Sequence, residues 1–591
     1  MRRTWLLLAA GALLAQAPDT VGVRLVLGLG DKSAVRWDGS VTATSARVAG
    51  LEPWRFEGDD AILNGSAWRA ATHPIRLFGA QQKQAPFVAN GVIVRLAEVT
   101  ECAELQVKTA QGSFTVRLAD IPYGRSVKAL EGRVMADRVP PAWRISGSPD
   151  EQDHPAAVAD KEGNVWLAYL EFRHHPEHDR LRANYTEEPK DFAELAAPTG
   201  GDHIVLRKFS AGVWGEPALI TQPGGDVYRP AVAVDGAGRV WVFWSAQKDG
   251  NFDLWAREVA SGQPGPPIQL TTEPGSDIDP VAATDAKGRV WVAWQGWRNG
   301  KATIFACTQE GRGFSKALAV STSAANEWNP AIAADGAGRV TVAWDSYRNG
   351  NYDVYLRTAT APGQWGKETA LAATALYEAY PSLAYDREGR LWVAYEIGAE
   401  RWGKDFGSYE TDGIALYQAR AVKLAAVDPA GRVLETTPEV GDVLPGLPEQ
   451  RVDSTARQSQ AKDWTKPNPE AARRRKPSAT PVPPRGPKNS YPRLLADASG
   501  RLWLACRSVH PIWWNPIGTV WSEYVASYDG TSWTGPIFLT HSDNLLDNRP
   551  ALISLRAGEL MVIGSSDARC DYFLIEQTGG RGNRIVRDPY N

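Results

Sequence analysis

One stretch of the chain concentrates side chains that commonly bind metal ions. Residues 171–179 read Glu-Phe-Arg-His-His-Pro-Glu-His-Asp. Imidazoles and carboxylates are ligands for Zn, Mn or Fe. We predict a divalent metal at this histidine-rich loop, with ligands drawn from His154, His174, His175, His178 and Asp179. The alternative is an exposed polar loop, because the spacing matches no known metal motif and Pro176 would break a helix that aligned the ligands.

Charged residues at the ends of predicted strands form a second candidate site. We predict that Glu171, Asp345 and Glu396 act as general acid and base in a carbohydrate-active site. Arg229, Arg507 and Arg549 have the fork geometry that clamps a carboxylate or sulfate. The competing interpretation is the ordinary solvated end of a channel.

Aromatic residues in predicted loops form a third candidate site. Exposed aromatic faces can stack on the apolar faces of sugar rings. We predict ligand binding by Trp297, Tyr347, Arg348, Trp402, Trp513 and Trp514. The tryptophans within predicted strands are instead expected to pack the core: Trp241, Trp244, Trp291, Trp294, Trp344, Trp392 and Trp503.

A repeated element must position these side chains. Seven times a proline stands a fixed distance before an apolar strand, most clearly in PAVAVDGAGRVWVFW and PVAATDAKGRVWVAW. Self-similarity at a period near 50 residues indicates a repeat architecture. Each repeat predicts four short strands, which we name A to D in chain order. Radially arranged four-stranded units form a β-propeller. We therefore predict an all-β fold, a seven-bladed β-propeller preceded by a small β-sandwich-like module.

The last repeat lacks a good fourth strand, which suggests how the ring closes. We predict that a strand at residues 143–146 completes the last blade, whose third strand is expected at residues 570–576. The predicted domains are a signal peptide (1–17), the β-sandwich-like module (20–140), the propeller (141–577) and a tail (578–591). Long insertions at 172–200, 397–411 and 437–489 interrupt the period, all on the face that carries the B–C and D–A loops. Function concentrates on such loops.

The repeats resemble TolB-type and sialidase-type exported β-propeller proteins. The resemblance rests on segments such as PIQLTTEPGSDIDPVAATDAKGRVWVAWQGWRNG and covers residues 141–577. It implies a fold and no particular activity. The Ser-x-Asp-x-Gly-x-Thr-Trp boxes of sialidases are absent from the sequence, which argues against sialidase chemistry.

Composition narrows the partner classes. The 591 residues carry a net charge of −3 with both signs mixed, which gives no electrostatic reason to expect nucleic acid. Arg2 and Arg3 before an apolar run predict export from a bacterial cell, to the periplasm or beyond, with no membrane span after signal removal. We expect a monomer.

Three functions remain open from the sequence. The first is a binding or scaffold protein that recognises a glycan or a protein on the long-loop face. The second is a carbohydrate-active hydrolase or lyase that uses the rim carboxylates and the histidine-rich loop. The third is the front part of a larger exported metal-dependent hydrolase.

Overall fold

The structure is a computed structural model in which the described residues form β-strands, turns and short 3₁₀ segments, with no α-helix among them. It describes residues 21–27, 41–43, 48–51, 62–63, 73–74, 88–96, 104–109, 112–117, 120–131, 134–140, 142–148, 150–173, 201–398, 402–403, 414–415, 420–434, 440–444, 489–510, 520–539, 542, 549–566, 573–577 and 583–587. Within these residues, no helix is long and apolar enough to cross a membrane.

Seven antiparallel sheets form a β-propeller, as the repeat predicts. The A strands of successive blades contact one another in a closed circle, and the last A strand also contacts the first. The A strands therefore line a central channel. They are Glu151–Ala159, Val227–Val234, Asp277–Thr284, Glu327–Ala334, Glu378–Tyr385, Asn489–Ala496 and Ala551–Arg556.

The B and C strands form the middle of each blade. The B strands are Val165–Phe172, Val240–Lys248, Val290–Arg298, Val340–Ser346, Leu391–Gly398, Leu502–His510 and Glu559–Ser566. The C strands of the first six blades are Asp202–Ser210, Asn251–Ala260, Lys301–Glu310, Asp353–Ala361, Arg420–Val427 and Val520–Tyr528.

The outer edges are shorter and less regular. They comprise Val213–Trp214 and Ala218–Leu219, Gln263–Gln269, Gly313–Phe314 and Leu318–Ala319, Gln364–Trp365 and Thr369–Ala372, Val433–Leu434, and Trp533–Phe538. Val440–Val443 forms a 3₁₀ helix, and Trp402–Gly403 pairs with Ile414–Ala415.

The seventh blade takes two strands from the N-terminal part of the chain. Val88–Arg95 pairs along its whole length with Glu559–Ser566, and Ala142–Arg144 lies outside it. The expected third strand at residues 570–576 was wrong, because Phe573–Gln577 pairs with Asn583–Arg587 in a different sheet. Val88–Arg95 occupies the position of the third strand instead. There it buries Ile93 and Val94 in the two hydrophobic cores that flank the blade. Gly91 leaves room for the indole of Trp143.

The remaining N-terminal strands form two small sheets. One contains Val21–Leu27, Val48–Leu51, Ile62–Leu63, Ser126–Ala129 and Val134–Val139. The other contains Val41–Ala43, Glu104–Thr109 and Gly112–Arg117, while His73–Pro74 pairs with Asn583–Arg587.

The Gly-Arg part of the repeat builds the A–B turn. In blade three, Asp285 Oδ1 accepts the backbone N–H groups of Lys287 and Arg289 at 2.9 and 3.0 Å. Its Oδ2 accepts Arg289 Nε and the Nε1–H of Trp291, both at 2.9 Å. Gly288 has φ +77°, a conformation that glycine adopts without strain. The motif is therefore a structural turn.

The expected packing role of the strand tryptophans is confirmed. All seven are buried, at 7% exposure or less. Trp241, Trp291, Trp294, Trp344 and Trp503 are almost fully inaccessible to solvent and fill the spaces between adjacent blades. The tightly packed blades provide a rigid support for the loops at either end of the channel.

Candidate functional site

The residues that precede the repeat prolines gather at one end of the central channel. Five of them, His154, Arg229, Asp279, Asn329 and Arg549, line one pocket of about 540 Å³, including its space open to solvent. We call this pocket the channel mouth. Arg493, which the sequence analysis missed, also lines it.

A β-bulge sets the direction of most of these side chains. The register between strands A and B shifts at the residue before the proline, for example between Tyr228 and Ala231. The bulged residue adopts a positive φ, which non-glycine residues seldom do. This holds for His154, Arg229, Asp279, Asn329, Tyr380 and Tyr491, with φ values from 31° to 56°. Bulges next to functional sites commonly redirect a side chain in this way.

Three arginines converge on the channel mouth. Arg229 Nη1 lies 3.2 Å from Asp279 Oδ1. The guanidinium carbon of Arg549 lies 4.9 Å from the ring centre of Tyr380 and 5.4 Å from that of Tyr491. Burial lowers the pKa of Arg493, and the positive charges of Arg549 and Arg229 lower it further. The carboxylate of Glu523 acts in the opposite direction on Arg493. Three guanidinium groups thus line the mouth, and Asp279 is the carboxylate named among its lining residues.

His154, which lines the mouth, is in ring contact with Tyr228 of the next blade. Their ring centres are 5.8 Å apart in an edge-to-face arrangement, and Arg229 lies 5.1 Å from the Tyr228 ring centre. Asp153 Oδ1 accepts the backbone N–H of His154 at 2.8 Å and the hydroxyl of Ser565 at 3.0 Å. Burial lowers the pKa of His154, with Arg229 and Arg549 acting in the same direction. Burial raises the pKa of Tyr228.

The predicted catalytic carboxylates lie one layer deeper, where they hold the backbone. Asp345 accepts Asn329 Nδ2 at 2.7 Å and the N–H of Tyr380, in the next blade, at 3.0 Å. Glu396 accepts the N–H of Tyr491, again in the next blade, at 2.6 Å. Both side chains are nearly inaccessible. Burial raises the pKa of Asp345 to about 7.

The other polar residues at this level are also engaged within the protein. Glu171 is buried, with Oε1 3.4 Å from His203 Nε2. Glu396 Oε2 lies 3.2 Å from Arg420 Nε. Arg507 is buried between Tyr491 and Trp521, with its guanidinium carbon 5.5 and 5.4 Å from their ring centres. This layer supports the channel mouth from below.

Two of the predicted aromatic ligands meet in one cluster at the edge of blades four and five. The rings of Tyr352 and Trp402 are 5.3 Å apart, and Trp402 Nε1 donates to Asn351 Oδ1 at 2.7 Å. Tyr347 is 39% exposed and lies 5.1 Å from Tyr352. The cluster, which we call the aromatic rim, comprises Trp328, Tyr347, Tyr352, Tyr377 and Trp402.

The remaining predicted ligands are placed elsewhere. Trp297 is 37% exposed on blade three and is not part of the aromatic rim. Arg348 is held by Glu327, Ser346 and Glu368, and it stacks 3.6 Å from the ring centre of Tyr355. Its donors are used within the protein, so we do not include it in the site.

The predicted metal site falls mostly on residues that the structure does not describe. His174, His175, His178, Asp179, Trp513 and Trp514 lie outside the described ranges, as do residues 1–17. Among the residues that are described, no group of three or more His, Cys, Asp or Glu side chains is arranged to hold a metal ion. The metal prediction therefore stays a prediction.

Signals for the missed residues differ in strength. Arg493 directly follows its proline, where six other repeats carry a small or aliphatic residue such as Ala231, Val281 or Ser382. That contrast marked Arg493 in the sequence. Tyr228, Tyr352 and Tyr377 had no comparable signal.

Among known proteins, the chain is similar only to solved structures, and that similarity is one of fold. No family model matches the chain, and no curated protein matches it. A protein of unknown function from Dyadobacter fermentans DSM 18053 is 9% identical, with a TM-score of 0.36 over 70% of this chain and 94% of that one. A PL25 ulvan lyase bound to -[GlcA(1-4)Rha3S]- is 13% identical, with a TM-score of 0.36 over 74% and 94%. An α-L-arabinanase from Penicillium chrysogenum complexed with arabinobiose is 10% identical, with a TM-score of 0.31 over 58% and 94%.

Proposed function

We propose that this chain binds an acidic glycan at the channel mouth, with the aromatic rim contacting neighbouring sugar rings. The observation that carries the proposal is the convergence of Arg229, Arg493 and Arg549 on one pocket. Like charges brought together in a partly buried site repel one another, and a bound anion relieves that repulsion. Guanidinium groups match the geometry of carboxylates and sulfates.

The aromatic rim supports a saccharide over a small inorganic anion. Trp328 of the rim directly precedes Asn329 of the channel mouth. The rim and the mouth thus share one A strand, and we propose that one oligosaccharide places an acidic group in the mouth and a ring on the rim. Tyr347 offers the exposed aromatic surface that such stacking needs.

Affinity measurements with defined polysaccharides test the proposal. The full chain is titrated with uronate-containing, sulfated and neutral polysaccharides by calorimetry. We expect binding to the acidic ones alone, weakened by added salt. Arg229→Gln and Arg549→Gln should each weaken binding about 10-fold or more, since a hydrogen bond to a charged group contributes about 1.5–3 kcal/mol.

Arg312→Gln is the matched control. Arg312 is an exposed arginine in a C–D turn, at the other end of the blades, with a side chain that is 79% exposed. Its loss should leave glycan binding unchanged. Equal binding of neutral and acidic polysaccharides, or binding that survives both mouth substitutions, would contradict the proposal. Retention of a protein partner with no glycan binding would favour the other ligand class predicted from the sequence.

We also propose that the chain acts outside the cytoplasm, on the basis of the signal-like residues 1–17. N-terminal sequencing of protein recovered from a bacterial periplasm should show that this segment has been removed. Recovery of the uncleaved chain from the cytoplasm alone would contradict export.

A further inference from the structure

We propose that Trp297 forms a second sugar-binding subsite, one blade away from the aromatic rim, so that an extended acidic glycan runs around the channel mouth across blades four and three. This inference rests on the proposed function, because the ligand is the same acidic glycan. It goes further by assigning a separate subsite and by naming the ligand class as chains long enough to span two adjacent blades.

Trp297 lies on the face of blade three that looks toward blade four. On strand B, Trp291 packs against Trp365 of blade four, with ring centres 6.0 Å apart. Side chains alternate between the two faces of a strand, so Trp297 shares the face of Trp291. Tyr347 of the aromatic rim follows strand B of blade four in the same way and contacts Trp402 of blade five, with ring centres 6.4 Å apart. Trp297 and Tyr347 therefore occupy equivalent positions in adjacent blades.

An apolar strip joins the mouth to the exposed ring on each of these two faces. Ile278 pairs with Gln295 of strand B, and directly paired residues share a face, so Ile278 and Trp297 lie on the same side of blade three. Ile278 is partly buried and directly precedes a residue of the channel mouth. Trp328 stands in the same relation to Tyr347 in blade four. Two strips therefore lead outward from the mouth, separated by the spacing of stacked sheets, about 10 Å.

The backbone of Trp297 is fixed, although its side chain is 37% exposed. Its N–H donates to Ser276 O at 2.9 Å, and its C=O accepts Arg298 Nη1 at 2.8 Å. Gly275, with φ +98°, lies so close to this carbonyl that a Cβ would stand 2.1 Å from the oxygen. A ligand that stacks on the indole therefore orders little of the protein, which lowers the entropic cost of binding.

Stacking, rather than charge, is the interaction that this subsite offers. Arg298 Nη2 donates to both carboxylate oxygens of Asp277, at 3.0 and 2.9 Å, and Nη1 also donates to Gly275 O at 3.1 Å. These donors are used to hold the loop. The exposed indole face of Trp297 suits the apolar face of a sugar ring. The acidic group of the ligand is thus bound at the mouth, and Trp297 responds to the length of the chain.

A repeating chain fits this arrangement better than a compact ligand does. The three arginines of the mouth call for an acidic group, whereas the rim and Trp297 each present an aromatic surface for a ring. A single monosaccharide cannot contact both aromatic surfaces across a spacing of about 10 Å. An oligosaccharide repeats its rings along the chain and can contact the mouth, the rim and Trp297 together.

The test measures the affinity of the full chain as a function of ligand length. Oligosaccharides from disaccharide to octasaccharide are prepared from pectate, as the uronate series, and from κ-carrageenan, as the sulfated series, and are titrated by calorimetry. We expect affinity to rise with length until both strips are spanned. Trp297→Ala should weaken binding of the longest chains about 10-fold and leave that of the shortest binding chain unchanged. This loss should be the same at low and high salt, because stacking is uncharged.

Leu318→Ala is the matched control, because Leu318 is an apolar side chain that is 45% exposed at the outer edge of the same blade. It should leave every affinity unchanged, and an equal loss there would overturn the inference. Trp297→Phe should keep most of the affinity for long chains, and Trp297→Gln replaces Trp297→Ala if that variant unfolds.

The two proposals fail in different ways. If Trp297→Ala binds chains of every length as the wild type does, or loses the same affinity at every length, the subsite is overturned and the proposed function stands. Absence of binding by either series would overturn both.

Discussion

The two ends of the propeller use buried carboxylates in opposite ways. At the A–B turns, burial alone would raise the pKa of Asp285, but hydrogen bonds from Trp291 and Arg289 outweigh it and the pKa is lowered. In the layer beneath the mouth, burial raises the pKa of Asp345 to about 7, and the hydrogen bonds from Asn329 and Tyr380 do not compensate. The same residue type stabilises a turn as an anion at one end and resists ionisation at the other.

The direction of the pKa shift, together with the hydrogen bonds that cause it, distinguishes structural from functional carboxylates better than the residue type does. The turns repeat the same complete network around Asp235, Asp285 and Asp386. The mouth instead varies from blade to blade, combines left-handed backbone with buried charge, and brings three arginines together. Strain and perturbed pKa values cluster at functional sites. Substitutions at the two ends should therefore behave differently.

The largest expected effect is on the pH dependence of stability. The folded state binds a proton at Asp345 up to about pH 7, whereas an unfolded aspartate loses it near 3.8. Stability therefore falls as pH rises between these values. Asp345→Asn should remove this loss, making the variant relatively more stable above pH 7 by up to about 4 kcal/mol. In this variant the amide of Asn329 can rotate, so that its Oδ1 accepts a hydrogen bond from the amide N–H of the new asparagine.

Denaturant midpoints from pH 4 to 8 measure this effect. Glu523→Gln is a parallel variant, because burial raises the pKa of Glu523 to about 8 and the same sign applies up to that pH. A wild-type protein whose stability rises from pH 4 to 7, with no flattening in Asp345→Asn, would contradict the assignment.

The next effect concerns the turn. Asp285→Ala should lower the free energy of unfolding by about 2–4 kcal/mol, because it leaves the buried Nε1–H of Trp291 and the guanidinium of Arg289 without their acceptor. The control is Asp428→Ala, in an exposed turn where Asp428 binds Arg432 and no tryptophan. Its effect should be clearly smaller. Equal losses in urea unfolding would mean that the buried tryptophan contact is unimportant.

The smallest expected effect sharpens the comparison at the mouth. Asp279→Asn removes the carboxylate that lies 3.2 Å from Arg229. Acidic-glycan affinity should rise a few-fold, since a partly exposed ion pair contributes about 1 kcal/mol or less. The gain in affinity should disappear in 0.5 M salt, because the Debye screening length there is only ~4 Å. Calorimetric titration of both proteins at the two salt concentrations decides this, and weaker binding by the variant would contradict it.

The sequence predicted those features that repeat. A proline, a turn and an alternating strand recur often enough to identify seven blades, and the buried tryptophans follow from the same pattern. The polar residues before the prolines were also identified, because they differ from the apolar strands that follow them. Asp345 and Glu396 were expected at the channel rim, but they are buried below it. Their B strands continue to Ser346 and Gly398, so neighbouring blades cover both carboxylates.

Features that depend on distant pairing were not predictable from local sequence. Nothing within Val88–Arg95 indicates that it belongs beside Glu559–Ser566. The aromatic rim joins Trp328 of an A strand and Tyr377 of a D–A loop with Trp402 of a B–C insertion. Only the closed ring brings these segments together.

The seam of the seventh blade has a consequence for synthesis. Arg95 Nε lies 3.1 Å from Glu559 Oε1, although the two residues are 464 positions apart. A ribosome must make the first six blades before the partner strand of Val88–Arg95 exists. During that time only Ala142–Arg144 can pair with the early strand, and its other edge is available to chaperones or to other chains. Closing so long a loop is also slow. The ring therefore completes last at this seam, and a nascent chain that stops before residue 566 leaves it open.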